Sequence, residues 1–159
     1  MIALIQRVRS ASVSVENDVV GSIDKGQVVF LGVFAYDSPD DAVFLANRCV
    51  NLRIFADKND AMNLSLLDIR GSMLAISQFT LCANARKGRR PSFSNAMPPQ
   101  RANELYELFC EKVTEHGIPV EKGIFGARMI VQLVNDGPVT FILDSKESRR
   151  GNLKDDIGD

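Results

Sequence analysis

Runs of apolar residues mark the first third of the chain as strands. The stretch Ile2 to Val15 predicts a long first strand, and Val19 to Ile23 and Gln27 to Phe34 predict two more. Turn-forming residues separate these runs at Asn17-Asp18 and at Asp24-Lys25-Gly26. Because connections this short join antiparallel neighbours, we expect a mainly antiparallel arrangement.

Two helices are predicted, each from its own pattern. Ser38-Pro39-Asp40-Asp41 combines an N-cap residue, a proline at the first helical position and two acids in the first turn, and this helix should end near Asn51. From Gln100 to His116 apolar residues recur with helical spacing, which predicts an amphipathic helix. Cys49 and Cys110 fall within these patterns and are expected in the core.

The remaining apolar segments complete the predicted fold. Met73 to Ala83 is apolar on both faces and predicts a central strand covered on two sides, and Ala127 to Val134 and Val139 to Leu143 predict two closing strands. The order of elements predicts an α+β fold, a mostly antiparallel curved sheet or β-barrel with two main helices packed outside. We expect one domain over residues 1–151 and a polar C-terminal tail over 152–159.

Composition and charge exclude several classes of protein. A formal net charge of −1 over 159 residues excludes a wholly basic nucleic-acid binder, so any RNA contact must come from a local patch. No apolar run approaches a membrane span, so we expect a cytoplasmic protein with no membrane partner. Three cysteines without paired spacing argue against a disulfide framework and a zinc site, and the single histidine, His116, excludes sites that need two imidazoles.

Four residues of the predicted central strand, Ser77-Gln78-Phe79-Thr80, interrupt its apolar pattern. Alternation would place Ser77 and Phe79 on one face and Gln78 and Thr80 on the other. Either these polar groups satisfy one another or meet solvent at a strand end, or they line a pocket and offer donors to an ester carbonyl. Thr80 is a candidate nucleophile without a nearby histidine, so a distant carboxylate or lysine, or a substrate hydroxyl, would have to activate the attacking group.

Arginines supply two further candidate features. Arg7 shares the strand parity of core-facing residues, so it should either bind backbone carbonyls or turn to solvent at a bulge. The segment Arg86-Lys87-Gly88-Arg89-Arg90 places four positive charges in five residues, either as a phosphate-binding loop or as a solvated charge run.

Asn135-Asp136-Gly137-Pro138 lies between the two predicted closing strands. Asn-Asp-Gly is strong turn chemistry, which favours a hairpin. Proline cannot donate to a strand ladder, and an X-Pro bond is the peptide bond for which the cis form costs least. The alternative is therefore a segment that presents backbone carbonyls to a ligand.

In this order and spacing, the segments resemble the D-aminoacyl-tRNA deacylase family of the D-Tyr-tRNA deacylase type. The resemblance extends to about Gly151. It rests on Arg7-Val8-x-x-Ala11-x-Val13, Ser77-Gln78-Phe79-Thr80-Leu81, Arg86-Lys87-Gly88-x-Arg90-Pro91-Ser92-Phe93, Phe125-Gly126-Ala127-x-Met129 and Asn135-Asp136-Gly137-Pro138-Val139-Thr140. The chain departs from the family pattern at Cys82-Ala83-Asn84-Ala85, directly after the Ser77-Gln78-Phe79-Thr80-Leu81 segment.

The resemblance implies a homodimer with its active site at the subunit interface and aminoacyl-tRNA as substrate. Gly137-Pro138 would be cis, would enter the partner's pocket and would reject L-aminoacyl esters by backbone collision, with Arg7 holding its carbonyls. Glycyl-tRNA would also be hydrolysed, and no metal or organic cofactor is implied. The implied catalytic residues are Ser77, Gln78, Phe79 through its backbone, and Thr80, and the implied tRNA-binding residues are Arg86, Lys87, Arg89 and Arg90.

Three mechanistic and functional alternatives stay open at this point. The terminal ribose 2′-OH of the tRNA, rather than Thr80, would activate the water. A sister deacylase on the same scaffold would have a trans Gly137-Pro138 bond and would act on L-aminoacyl or glycyl esters. A non-enzymatic nucleic-acid-binding module would bind without turnover.

Overall fold

The long first strand organises the sheet of this protein, whose computed structural model describes residues 1–86 and 89–146. In chain order the elements are β1 (Ile2–Val15), β2 (Asp18–Ile23), β3 (Gly26–Gly32), α1 (Pro39–Asn51), β4 (Phe55–Ala56), β5 (Met62–Leu64), α2 (Leu66–Ile69), β6 (Ser72–Ser77), a 3₁₀ turn (Phe79–Cys82), α3 (Pro99–Glu115), β7 (Val120–Lys122) and β8 (Ile130–Asp144).

Strand β1 pairs antiparallel with β2, β3 and β8. The sheet then continues from β3 through β6 to β7 with parallel pairing. It is nearly closed, and α1 and α3 pack on its outer face. The predicted α+β class, the first three strands and both main helices are confirmed, and the short α2 and the β4–β5 hairpin are additional elements.

Strands β3 and β6 are buried on both faces, and they separate two apolar cores. Val29 and Met73 belong to the core between the sheet and the helices, which also contains Phe109 of α3. Val28 and Leu74 belong to the core inside the curved sheet. This arrangement confirms the prediction of a central strand covered on both sides, because a strand buried twice has no polar face.

Strand β6 is shorter than the sequence predicts, because it ends at Ser77 rather than continuing to Ala83. The Gln78 N–H donates to Leu31 O at 2.8 Å as the chain leaves the sheet, and the next residues form the 3₁₀ turn, in which Leu81 N–H donates to Gln78 O at 3.2 Å. The predicted alternation of Ser77 to Thr80 between two faces is therefore wrong. Apolar composition alone does not distinguish a strand from a short 3₁₀ turn.

The two closing strands of the prediction are one strand, β8, which begins at Ile130 instead of Ala127. Residues 124–127 form a turn, closed by Ala127 N–H donating to Ile124 O at 3.1 Å. Gln6 pairs with Thr140 and Val8 with Asn135, so the single residue Arg7 faces the four β8 residues 136–139. The hairpin interpretation of this segment is wrong, since β8 continues along β1 on both sides of it.

The Gly137–Pro138 peptide bond is cis. This is the geometry that the family resemblance implied, and the sister-deacylase alternative required a trans bond. No helix in the described part of the chain is long and apolar enough to cross a membrane.

Candidate functional site

A pocket of about 610 Å³ opens where the end of β6 meets the start of α3, a size typical of small-molecule sites. Its wall is mainly apolar because it is cut into the packing between the sheet, α3 and the turn before β8. The wall includes Ile76 of β6, Met97 before α3, Ala102 and Tyr106 of α3, and Phe125 and Met129 before β8.

Polar groups are concentrated at one side of this pocket, where β6 becomes the 3₁₀ turn. Ser77, Gln78 and Phe79 line the pocket, and Gln78 Nε2 donates a hydrogen bond to Thr80 Oγ1. The first N–H groups of a helical turn have no partner within that turn, so they are available as donors. The structure therefore brings three of the four predicted catalytic residues to the pocket wall and connects the fourth, Thr80, to it through Gln78.

The described part of the pocket wall offers no general base. Among the described residues that line it, none is a carboxylate, histidine, lysine or arginine, and Tyr106 is the titratable side chain. Burial raises the pKa of Tyr106, and its hydroxyl donates to Ala75 O at 2.9 Å. Cys82 is the buried last residue of the turn, where burial and then the charge of Asp37 raise the pKa of its thiol to about 11. Neither group is ionised near neutral pH.

Two aromatic rings stand at the pocket side of the 3₁₀ turn. Phe79 and Phe93 meet edge to face with ring centroids 5.0 Å apart, and their side chains are 60% and 39% exposed. Exposed aromatic faces of this kind are suited to stacking on a planar ligand. The family resemblance implies a role only for the backbone of Phe79, and no periodic pattern in the sequence marks Tyr106, Phe125 or Met129 as pocket residues.

The small residues before β8 contribute to the pocket rather than to a strand. Gly126 and Ala127 line it, and Gly126 has a φ of +75°, a conformation that glycine adopts without steric cost. This turn directs Phe125 and Met129 toward the pocket wall. The pair Gly126-Ala127 is the feature of the sequence that marks this part of the pocket wall, although the sequence predicted that a strand begins at Ala127.

Arg7 lies opposite a bulged segment, but it binds backbone carbonyls instead of turning to solvent, so the first of the two alternatives from the sequence is the one observed. Its Nε donates to Asp136 O at 2.9 Å, its Nη1 donates to Ile54 O at 2.5 Å, and its side chain is 13% exposed. In this segment Arg7 binds the carbonyl of Asp136, which precedes Gly137, whereas the resemblance implied the Gly-Pro carbonyls themselves. Gly137 and Pro138 are exposed and are not part of the pocket wall of their own chain.

The basic loop begins and ends beside the pocket. Asn84 and Ser92 pair by two backbone hydrogen bonds of 2.8 and 3.0 Å, so the loop returns next to Phe93. Arg86, Arg89 and Arg90 are exposed on it. Lys87, also predicted to bind tRNA, lies outside the described residues.

The described residues contain no group of three His, Cys, Asp or Glu side chains that could hold a metal ion. The one histidine, His116, caps the C-terminal end of α3, where its Nε2 lies 2.8 Å from Asn47 Oδ1. It is therefore a surface contact between α3 and α1 and takes no part in the pocket.

The fold is a curved sheet with helices packed outside, and it contains an apolar pocket with donor groups at one side. Such a pocket is suited to a ligand that carries a carbonyl group. Comparison with known proteins makes this specific. Residues 4–144 match the family model described as D-Tyr-tRNA(Tyr) deacylase. The chain belongs to this family.

Curated relatives agree over nearly the whole chain. A D-aminoacyl-tRNA deacylase from Geotalea uraniireducens is 57% identical over 152 residues, covering 95% of this chain and 98% of the relative. One from Fervidobacterium nodosum is 56% identical over 147 residues, covering 92% and 99%.

Two solved structures share the fold. A c-Myc DNA unwinding element binding protein aligns with a TM-score of 0.85 at 35% identity, covering 91% of this chain and 98% of that one. A probable eukaryotic D-amino acid tRNA deacylase aligns with a TM-score of 0.77 at 20% identity, covering 90% and 98%, and this second likeness concerns the fold alone.

Proposed function

We propose that this protein is a D-aminoacyl-tRNA deacylase, which hydrolyses the ester between a D-amino acid and the 3′-terminal adenosine of tRNA. Membership of the family over residues 4–144 supports the reaction class. The observation that carries the mechanism is the pocket itself, with hydroxyl and amide donors on one side and no base in its described wall.

The terminal adenosine occupies the apolar part of the pocket, near the exposed rings of Phe79 and Phe93. The ester carbonyl faces the start of the 3₁₀ turn. There the Phe79 backbone N–H and the Gln78 side-chain amide stabilise the negative charge that develops on the carbonyl oxygen. Ser77 and Thr80 complete the polar side, Thr80 through its hydrogen bond with Gln78.

Since the residues described in the wall provide no base, the ribose 2′-OH of the terminal adenosine assists the attacking water. Water adds to the carbonyl carbon, and the bond between that carbon and the ribose oxygen breaks. The products are the free amino acid and a tRNA with its terminal hydroxyl restored. The protein contributes position and charge stabilisation rather than proton transfer.

Selection of the D enantiomer requires a second copy of the chain. Gly137 and Pro138 are exposed and lie outside their own pocket wall, and they enter the pocket of the partner in a homodimer. Their backbone contacts the α-amino group and collides with a side chain of L configuration, while a D side chain points away. Glycyl-tRNA has no side chain to reject and is hydrolysed as well.

The basic loop contacts the phosphates of the tRNA near its 3′ end. Arg86, Arg89 and Arg90 are exposed beside the pocket, and Lys87 extends the same run of charge. Each phosphate contact adds affinity that falls with increasing salt. The enzyme acts in the cytoplasm, where charged tRNA is used.

Hydrolysis of matched enantiomers tests the proposal. D-Tyr-tRNA and L-Tyr-tRNA are incubated with the protein, and release of labelled tyrosine is measured against the spontaneous rate. We expect rapid hydrolysis of the D ester, and none of the L ester above the spontaneous rate. Equal hydrolysis of both esters, or no hydrolysis of either, would contradict the proposal.

A second candidate function is nucleic-acid binding without catalysis. The observation that favours it is the 35% identity to the c-Myc DNA unwinding element binding protein. This function predicts salt-sensitive binding of single-stranded DNA or RNA with no turnover of D-Tyr-tRNA. The hydrolysis assay, run beside a binding assay on uncharged oligonucleotides, distinguishes the two functions.

A further inference from the structure

One side-chain amide bridges the two ends of the excursion that β8 makes opposite Arg7. Asn135 is the last β8 residue paired with β1 before residues 136–139 leave the ladder. Its Nδ2 donates to Arg7 O at 3.0 Å and to Val139 O at 3.2 Å. These two hydrogen bonds tie the start of the excursion to its end and to β1, where the regular ladder is interrupted.

The same amide occupies the space beside Gly137. A Cβ atom added at Gly137 would lie 2.4 Å from Asn135 Oδ1, 3.4 Å from its Cγ and 3.3 Å from Val139 N. Gly137 does not have a left-handed backbone conformation, so backbone strain is not what requires glycine there. A terminal amide could normally move aside, but two hydrogen bonds hold this one in place.

Arg7 restrains the segment from the other side. Its Nε binds Asp136 O at 2.9 Å and lies 3.2 Å from the Asp136 carboxylate. Asn135 therefore fixes residues 135 and 139, and Arg7 fixes residue 136. Gly137 and Pro138, which have no β1 partner, are positioned by these neighbours.

We propose that Asn135 is a positioning residue for enantiomer selection, and that glycine is required at position 137 because the Asn135 amide occupies the space of a Cβ. The amide sets the place of the Gly137–Pro138 backbone, and it touches no reacting atom. The inference rests on the proposed function, since selection is measured as the ratio of D-ester to L-ester hydrolysis.

The test compares Asn135→Ala, Asn135→Asp, Gly137→Ala and the double variant Asn135→Ala/Gly137→Ala. Asn51→Ala is the matched control, because Asn51 Nδ2 also donates to a backbone carbonyl, that of Asn47, at 2.9 Å on the exposed side of α1. For each protein, kcat and KM are measured with D-Tyr-tRNA and L-Tyr-tRNA, and the free energy of unfolding is measured in urea.

We expect Asn135→Ala to lower the D:L ratio about tenfold, since tenfold corresponds to about 1.4 kcal/mol, the scale of one or two hydrogen bonds. Asn135→Asp should lower it further, because its carboxylate oxygen faces two carbonyl oxygens. The control should keep the wild-type ratio. A purely structural role for Asn135 would lower stability and leave the ratio unchanged, which would overturn the inference.

The double variant tests the reason for glycine. If the amide excludes a Cβ, Gly137→Ala should cost much less stability and much less selectivity when Asn135 is already alanine. Multiplicative effects on the D:L ratio, with additive effects on the free energy of unfolding, would overturn the proposed link. Should Asn135→Ala fail to fold, Asn135→Ser takes its place with the same expectation.

Failure of this inference and failure of the proposed function give different results. A wild-type protein that does not distinguish D from L esters contradicts the proposed function. The stability coupling between positions 135 and 137 then still decides whether the amide excludes the Cβ. A selective wild type with unchanged ratios in the Asn135 variants contradicts this inference alone.

Discussion

At the scale of single residues, Thr80 shows how the surroundings of a hydroxyl limit its chemistry. A threonine nucleophile needs a base in hydrogen-bond reach. Here its described hydrogen-bond partner is the Gln78 amide, which donates to it and cannot accept a proton, and the described pocket wall provides no carboxylate, histidine or lysine. The hydroxyl is therefore better suited to orient Gln78 than to attack an ester.

We expect Thr80→Ala to retain activity within about tenfold of wild type on D-Tyr-tRNA, because losing one neutral hydrogen bond costs about 1 kcal/mol. Removal of a true nucleophile costs about 10⁴-fold or more. Single-turnover hydrolysis measures the difference. A tRNA ending in 2′-deoxyadenosine is the matched substrate control, and we expect a large loss of activity with it. Abolished activity in Thr80→Ala with substrate binding intact would return the nucleophilic role to Thr80.

At the scale of elements, Asp41 joins the N-terminal end of α1 to the end of β8. Its carboxylate accepts hydrogen bonds from Ser38 N–H and from Lys146 Nζ, both at 2.9 Å, and the residue is buried. Burial by itself would raise the pKa of Asp41, but hydrogen bonds from Lys146, Ser38 and Ser145 outweigh it and lower this pKa below its ordinary value of 3.8. The ionised form is therefore bound more tightly in the folded than in the unfolded chain.

A group with a lowered pKa in the folded state stabilises the fold at pH values above its unfolded pKa, and this contribution is lost as the pH falls below it. We expect Asp41→Asn to lower the free energy of unfolding by about 2 kcal/mol at pH 7, the scale of charged hydrogen bonds. The difference from wild type should shrink as the pH falls below 3.8. Urea unfolding across pH measures both effects.

Asp40→Asn is the control, because Asp40 is an exposed acid in the same helical turn. It should change stability by no more than about 0.5 kcal/mol at any pH, as expected for a surface substitution. A pH-independent difference between Asp41→Asn and wild type would contradict the assigned role of the Asp41 charge.

At the scale of the whole molecule, the strand β8 exposes three large apolar residues. Ile130, Val134 and Ile142 are 62%, 53% and 64% exposed. Apolar residues gathered on one strand often mark an interface between proteins. They lie on the strand that contains Gly137 and Pro138, which is where the proposed homodimer needs its contact.

We expect Ile142→Asp to shift the protein from dimer to monomer, because a charge in an apolar interface is costly to desolvate. Hydrolysis of D-Tyr-tRNA should fall with the dimer fraction, since each pocket then lacks the partner's Gly137–Pro138 segment. Light scattering on eluted fractions measures the mass. Met62→Asp, at a residue 56% exposed in β5, is the control and should remain dimeric. A monomeric wild type with full selectivity would contradict the dimer proposal.

The basic loop should govern affinity for tRNA rather than chemistry. We expect Arg89→Ala and Arg90→Ala each to raise KM and leave kcat unchanged. Each should also reduce the slope of log(kcat/KM) against log salt by about 0.7 to 0.9, the value for one lost phosphate contact. Lys58→Ala removes an exposed charge in the β4–β5 loop and should change neither quantity. Unchanged salt slopes in both arginine variants would contradict phosphate binding by this loop.

Much of the fold was predictable because its signals are local. Ser38-Pro39 places the start of α1, and the periodic apolar residues after Gln100 place α3 within one residue of its observed ends. The end of β6 was not predictable, because an apolar run has the same composition in a strand and in a short 3₁₀ turn. The predicted start of β8 was wrong for a related reason. Ala127 lies in a turn that lines the pocket, and its local sequence does not distinguish this turn from the start of a strand.

Some residues of the candidate site were likewise predictable from the sequence, and others were not. Ser77 and Gln78 could be found because polar residues at the end of an apolar strand require a partner, and Arg7 could be found because it has the parity of core residues. Tyr106, Phe125 and Met129 could not, because apolar residues that line a pocket look like apolar residues that fill a core. Asn135 could not be assigned a role, since its two carbonyl partners belong to different parts of the chain.

By itself, the sequence determined the first three strands, both main helices, the polar end of the central strand and the family. These depend on propensity, capping and periodicity, which act between near neighbours. Only the tertiary structure decided that Gly137–Pro138 belongs to an excursion within β8 rather than to a turn. The same local residues can form a hairpin or a bulged strand. The bulged strand forms here because β8 pairs with β1 on both sides of Arg7, which prevents the chain from turning back on itself.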